Sequence, residues 1–170
     1  MASAREDPFP SADHDHARCV IEALDRAAAV CAERGLKLTA LRRRVLEIVL
    51  GQHAPVGAYA ILEKLATDRG RVAPPTVYRA LDFLVAQGLV HRLDTKNAFV
   101  ACARGEGPHP ACFLICRDCG AVAELADPAL DAAIAAIAER TGFAIARRMI
   151  ELEGVCARCR ALASGRREAA

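Results

Sequence analysis

Apolar positions recur at helical spacing through the first half of the chain. Val20, Ile21, Leu24, Ala28 and Cys31 share one face of a helix predicted over 17–34, which Gly35 terminates. Thr39 offers an N-cap oxygen to a second helix whose Leu41, Val45, Leu46, Val49 and Leu50 face inward, while Arg42, Arg43 and Arg44 mark its outer side. A third helix over 57–68 carries Tyr59, Ile61, Leu62 and Leu65. The fourth opens at Pro74-Pro75, where a proline in the first turn costs no hydrogen bond, and ends at Gly88. Its Val77, Leu81 and Leu84 form an inward stripe at i, i+4 and i+7, which leaves Thr76, Arg79, Asp82 and Phe83 on other faces.

The period then changes. Residues 89–94 and 98–102 read as short strands joined by Thr95-Lys96-Asn97, a hairpin. Short helices followed by a hairpin is the order of a winged helix-turn-helix, which sets one helix into the major groove of DNA. Two glycines and two prolines within 104–110 mark a hinge. Beyond it, 112–116 and 121–125 read as strands, and Asp127-Pro128 opens a helix with Leu130, Ile134 and Ile137 inward and Gly142 at its end. Residues 143–152 read as a further strand. This β-β-α-β unit is too small to be comfortable alone, and a second copy would cover its open faces. The expected fold class is α+β. A winged helix-turn-helix domain spans 17–103, a hinge 104–111, and a small α/β dimerisation domain 112–162, with a disordered tail over 1–16 and a flexible one over 163–170.

Composition narrows this picture. Hydrophobic residues make up 54% of the 170 positions but aromatics only 4%, and Trp is absent, so the core is aliphatic. No apolar run approaches the roughly 18 residues a membrane span requires. The first 18 residues lack the apolar stretch of a secretory signal, so a cytoplasmic location is expected. The net charge of +2 conceals a block over 36–96 with ten basic and five acidic side chains. Such a block is the footprint of a nucleic-acid surface, although exposed Lys and Arg are more often ordinary solvated residues.

Eight cysteines in a chain expected to be cytoplasmic point to metal or redox chemistry, because that compartment keeps thiols reduced. Cys116 with Cys119, and Cys156 with Cys159, are two C-x2-C pairs, and two tight turns can present four thiolates to one structural zinc. A thioredoxin-type centre uses one such pair. Cys19 and Cys31 read as packing residues of the first helix. His91, Cys102 and His109 offer a nitrogen and sulfur set suited to zinc, with Glu124 as an oxygen ligand and Cys112 as either a rival ligand or a buried residue. His14 and His16 read as solvated residues of the tail. The same His91, Cys102 and His109 could serve a zinc hydrolase or thiol oxidoreductase with an open coordination position. The H-E-x-x-H helix of metalloproteases and the H-x-E with P-C-x-x-C of zinc deaminases are both absent.

The run Pro74-Pro75-Thr76-Val77-Tyr78-Arg79-Ala80-Leu81-Asp82-Phe83-Leu84, followed by Gly88-Leu89-Val90-His91, resembles the recognition helix and wing of the ferric uptake regulator family. Phe113-Leu114-Ile115-Cys116-Arg117-Asp118-Cys119-Gly120 and the final C-x2-C resemble its dimerisation domain. The likeness extends from the first helix to Leu162 and is strongest to the zinc-responsive branch. It implies a homodimeric repressor, not an enzyme, that binds double-stranded operator DNA and controls zinc uptake genes, with no membrane partner or small-molecule substrate. It also implies two Zn2+ per protomer, a structural ion on Cys116, Cys119, Cys156 and Cys159 and a regulatory ion on His91, Cys102, His109 and Glu124. Arg79 is then expected to read bases, with Tyr78, Thr76 and Tyr59 near the backbone or thymine methyls, and Lys37, Arg42, Arg43 and Arg44 on phosphates. Two departures bear on this. The His-His-x-His cluster common in iron, manganese and peroxide sensors is reduced to His109 within Pro108-His109-Pro110, which argues against those sensors, and a same-family regulator of iron or manganese stands as the alternative. Ala40 stands where the family carries Pro after the helix-capping Thr.

Overall fold

Side-chain oxygens set the starts of the first helices. In the computed structural model, which describes residues 7–9, 15–52, 54–69, 72–104 and 109–168, Asp15 accepts the Arg18 N–H and opens helix α1 (His16–Glu33). Gly35 stops it with φ +65°, a conformation that suits a residue without Cβ, and Leu36 N–H closes onto Cys31 O at 2.8 Å. Thr39 accepts the Arg42 N–H at the start of α2 (Ala40–Leu50), so Ala40 in place of Pro leaves the cap intact. Helix α3 (Ala58–Arg69) follows a two-residue strand β1 (Val56–Gly57), and α4 (Pro74–Ala86) begins on its prolines. The hairpin comprises β2 (Val90–Leu93) and β3 (Ala98–Ala101), with Asn97 at φ +45° in the turn.

Strand order in the first sheet is β1-β3-β2, antiparallel throughout. Val45, Val49, Ile61, Leu65, Val77, Leu81 and Leu84 are each at most 1% exposed, so the predicted stripes of the last three helices meet in one core. Strand β1 carries no sequence signal of its own. Its two residues become a strand through pairing with Phe99 and Ala98.

The second sheet is built from β4 (Ala111–Cys116), β5 (Val122–Leu125) and β6 (Met149–Gly154) in the order β5-β4-β6. Strand β6 runs parallel to β4, the chain returning through α5 (Pro128–Thr141), which Asp127 caps and Gly142 ends in the left-handed region. The expected strand over 143–152 starts late, at Met149. Pairing with β4 begins at Ala111–Met149, and upstream of it Phe143 and Ile145 have no neighbouring strand and lie exposed. The expected inward stripe of α5 is also uncovered, since no residue of that helix is buried within this chain. Instead of a flexible tail from 163, the chain continues as α6 (Ala157–Glu168), whose Ala, Leu and Arg content favours helix. Most of the expected 1–16 tail, His14 included, and the middle of the expected hinge lie outside the described residues.

The two sheets share a second core. Leu93 and Val100 of the hairpin pack with Ala111, Phe113 and Ile115 of β4, partly flanked by Val122 and Met149. The hairpin thus belongs to both units. No described helix is long and apolar enough to cross a membrane.

Candidate metal centres

Parallel pairing of β4 and β6 carries both C-x2-C pairs to the same end of the sheet. Cys116 is in register with Gly154, and Arg117 N–H bonds Gly154 O at 2.9 Å, so the turn after β4 lies beside the start of α6. The sulfurs of Cys116, Cys119, Cys156 and Cys159 lie within 4.8 Å of one another, with 3.9 Å between Cys119 and Cys156. A tetrahedral zinc with Zn–S bonds of 2.3 Å spaces its sulfurs by roughly 3.8 Å. Gly120, at φ +73°, closes the first turn with its N–H on Cys116 O at 2.8 Å.

The thiols of this group divide in their acidity. Burial pushes the Cys116 thiol up, but backbone N–H groups of Cys156, Cys119 and Asp118 outweigh it and bring it down to about 6. Cys159 is pushed up to about 12 by its hydrogen bond with Cys156, by burial and by the neighbouring sulfurs. Four thiolates this close repel one another, and a divalent cation is what allows all four to ionise together. The donor set fits a structural zinc.

The second group gathers donors from four separate segments. His91 comes from β2, Cys102 follows β3, His109 precedes β4, and Glu124 lies on β5 opposite Phe113. Their ligand atoms also lie within 4.8 Å of one another. Glu124 Oε1 stands 2.5 Å from His109 Nε2 and 3.7 Å from His91 Nε2, and Cys102 Sγ is 3.9 Å from His109 Nε2. The other carboxylate oxygen, Oε2, accepts the Ala103 N–H at 3.0 Å, which turns Oε1 into the centre. His91 Nε2 is buried without a hydrogen-bond partner, a cost the fold would not carry unless something else meets that nitrogen. Burial holds the His91 imidazole below its usual range, and a neutral ring has a lone pair to give. Phe113 packs edge-on against His91 with ring centroids 5.1 Å apart and forms an apolar wall. One thiolate, two imidazoles and a carboxylate fit zinc. Cys112 stands apart from both groups, buried in β4 with its thiol pushed up by burial.

The candidate DNA-facing residues divide as well. Tyr59 is 78% exposed, and Thr76, Tyr78 and Arg79 lie on the open side of α4. The three arginines of α2 are occupied. Arg42 stacks on Phe83 at 3.5 Å from the ring centre and bonds Lys37 O at 2.7 Å, Arg43 pairs with Glu47, and Arg44 pairs with Asp68 and Glu47. Any phosphate contact by these three competes with partners they already hold.

Comparison with known proteins joins these features. Residues 33–153 match the model of the ferric uptake regulator family. The chain belongs to that family. It is 38% identical over 139 residues to the zinc uptake regulation protein of Escherichia coli, covering 81% of each chain. A solved zinc uptake regulator complexed with zinc and DNA superposes with a TM-score of 0.80 at 36% identity, over 85% of this chain and 97% of that one. The crystal structure of holo XcZur gives 0.77 at 40% identity, over 82% and 98%. The fold read from the sequence, a winged helix followed by a dimerisation-type domain, is the fold of this regulator family. One functional feature of this family member escaped the sequence reading. Glu151, Glu153 and Arg147 meet the hairpin turn across more than fifty positions, and no local spacing announces such a contact.

Proposed function

We propose that the protein is a zinc-sensing repressor that binds operator DNA as a zinc-loaded homodimer and controls zinc uptake genes. The carrying observation is the set His91, Cys102, His109 and Glu124, whose four donors come from the wing, the segment between the sheets and the second sheet. A zinc held there, when bound, cross-links the DNA-binding head to the dimerisation unit. The residues themselves do the rest. Ala103 fixes the Glu124 carboxylate, Phe113 sets an apolar ring against His91, and Val90 and Phe99 of the hairpin share one core with Val77, Leu81 and Leu84 of α4, which couples the two elements.

Orientation matters because two recognition helices must reach half-sites about 34–36 Å apart, or a multiple of that. Moving a two-state head from 1:99 to 99:1 takes about 5.5 kcal/mol of differential zinc binding. Four ligands supplied by separate segments can provide it, since the complete set exists in one arrangement alone. Cys116, Cys119, Cys156 and Cys159 would hold a second zinc, making two per protomer, and so would tie β4, β6 and α6 together. The likeness to regulators solved with zinc supports the sensed metal, as does the thiolate in the set. Iron(II) and manganese prefer more oxygen and more open geometry. A closed set of four also argues against a hydrolytic zinc, which keeps one position for water.

Operator binding titrated against buffered free zinc tests the reading. Cys102→Ser should raise the zinc needed for half-occupancy at least tenfold while the dimer stays folded. Unchanged zinc dependence in that variant overturns the assignment.

A further inference from the structure

The metal set holds the hairpin at its base, through His91 and Cys102. Its tip is held too, by a separate polar group. Glu151 of β6 accepts the Asp94 N–H on Oε1 at 2.7 Å and the Thr95 N–H on Oε2 at 3.2 Å, and the Thr95 hydroxyl also donates to Oε2. Arg147 pairs with Asp94 at 2.8 Å, and Lys96 pairs with Glu153. Three consecutive residues of the turn, Asp94 to Lys96, therefore meet three side chains around β6. Between base and tip lies the apolar cluster of Leu93 and Val100 on Phe113.

We infer that Glu151 is a positioning residue for the metal switch, a carboxylate receptor that docks the tip of the wing and makes the zinc-binding arrangement the populated one. The inference rests on the functional reading above. The ligand set holds the base and the apolar cluster the middle of the hairpin, and the polar anchor at the tip adds the directional contact that fixes its angle. The two N–H groups at Asp94 and Thr95 point out of the hairpin and find no backbone partner across it, so a carboxylate that bonds both matches them as a ligand matches a site. The contacts join the hairpin to the second sheet, so they exist when the head is docked and vanish when it swings away. Apparent zinc affinity falls by the fraction of molecules with the head docked, so weakening the tip weakens zinc at the base without touching a ligand.

The experiment measures zinc affinity by competition with a chelator, without DNA, alongside operator binding at buffered zinc and hydrogen exchange at Asp94 and Thr95. Glu151→Ala should lose protection at those two amides and raise the zinc dissociation constant of the regulatory site about tenfold, the scale of hydrogen bonds to a charged group. Structural zinc and dimer mass should be unchanged. Lys96→Glu, on an exposed pair that the fold tolerates, should raise the constant about threefold, and the swap Lys96→Glu with Glu153→Lys should restore it. Glu151→Ala with wild-type zinc affinity overturns the proposal, as does a swap that fails to restore zinc affinity after the single change has lowered it. A change in operator binding alone, with zinc affinity unmoved, also overturns it, because the tip would then touch DNA rather than position the head. Cys102→Ser run in parallel separates the two readings. If that variant keeps full zinc affinity, the ligand assignment fails, and if it loses affinity while Glu151→Ala does not, the tip proposal alone fails.

Discussion

Cys119 sits exposed on the turn after β4, yet its sulfur is 3.9 Å from that of Cys156, 37 positions away along the chain, the sheet and helix between having folded back to bring the two together. As a ligand it would complete a four-sulfur set for one divalent cation. Cys119→Ser should therefore lower bound zinc by one ion per protomer and weaken the second sheet at its Cys116–Gly154 end, which the Arg117 N–H to Gly154 O bond would then hold without the metal. Metal analysis together with sedimentation checks this. A dimer of normal stability that lacks the ion would refute a structural role. The two C-x2-C pairs were legible because ligand spacing in a turn is a local property. Glu124 was less so. A carboxylate on a strand becomes a candidate ligand through its neighbours, here the Ala103 N–H that aims it and the two imidazoles it faces. Glu151 was illegible, since its partners are reached through the register of β4 with β6 and not through any pattern around residue 151.

At the scale of elements, helix α4 divides its work between two faces. Val77, Leu81 and Leu84 are fully buried, while Arg79 and Tyr78 stand on the open side. Leu84→Ala should cost about 2–5 kcal/mol of stability with a clear fall in Tm, the usual range for a buried leucine. Arg79→Ala should leave Tm unchanged and weaken operator binding by about 1–3 kcal/mol, with relaxed preference at one base position. Thermal unfolding and a panel of operator variants read the two effects separately, and an Arg79→Ala protein with full affinity would remove that residue from the reading surface. The helices were legible in the sequence because their apolar stripes and caps are local. Thr39, Asp127, Pro74 and Gly142 all act within a turn of where they stand. The strands with their own alternating or apolar runs were legible too, whereas β1 and the start of β6 were not. Strand β1 exists through β3, and β6 begins where β4 offers a partner, which is why the expected strand over 143–152 proved six residues too early at its start.

Among the described residues, α5 and the segment after it present an apolar surface that the chain's own fold does not cover. No residue of α5 is buried, Ile137 is 51% exposed and Phe143 68%, and Ile145 and Leu152 lie open nearby in sequence. Leu130, Ile134 and Ile137 fall on one stripe at i, i+4 and i+7, the stripe the sequence marked as inward. A soluble chain seldom leaves such a continuous apolar stripe to water, and a second copy meeting it resolves both the exposure and the small size of the second unit. The geometry of a repressor adds a reason. Two heads reach two half-sites together when their dimerisation units are fixed to each other, and the gain from the second contact is lost once they separate. Ile137→Glu places a charge at the exposed C-terminal end of that stripe. It should convert the proposed dimer to monomer in sedimentation and reduce operator affinity at least a hundredfold, while each protomer keeps the zinc it binds, because both candidate ligand sets lie within one chain. A variant that remains dimeric, with wild-type operator affinity, would place the interface elsewhere on the molecule.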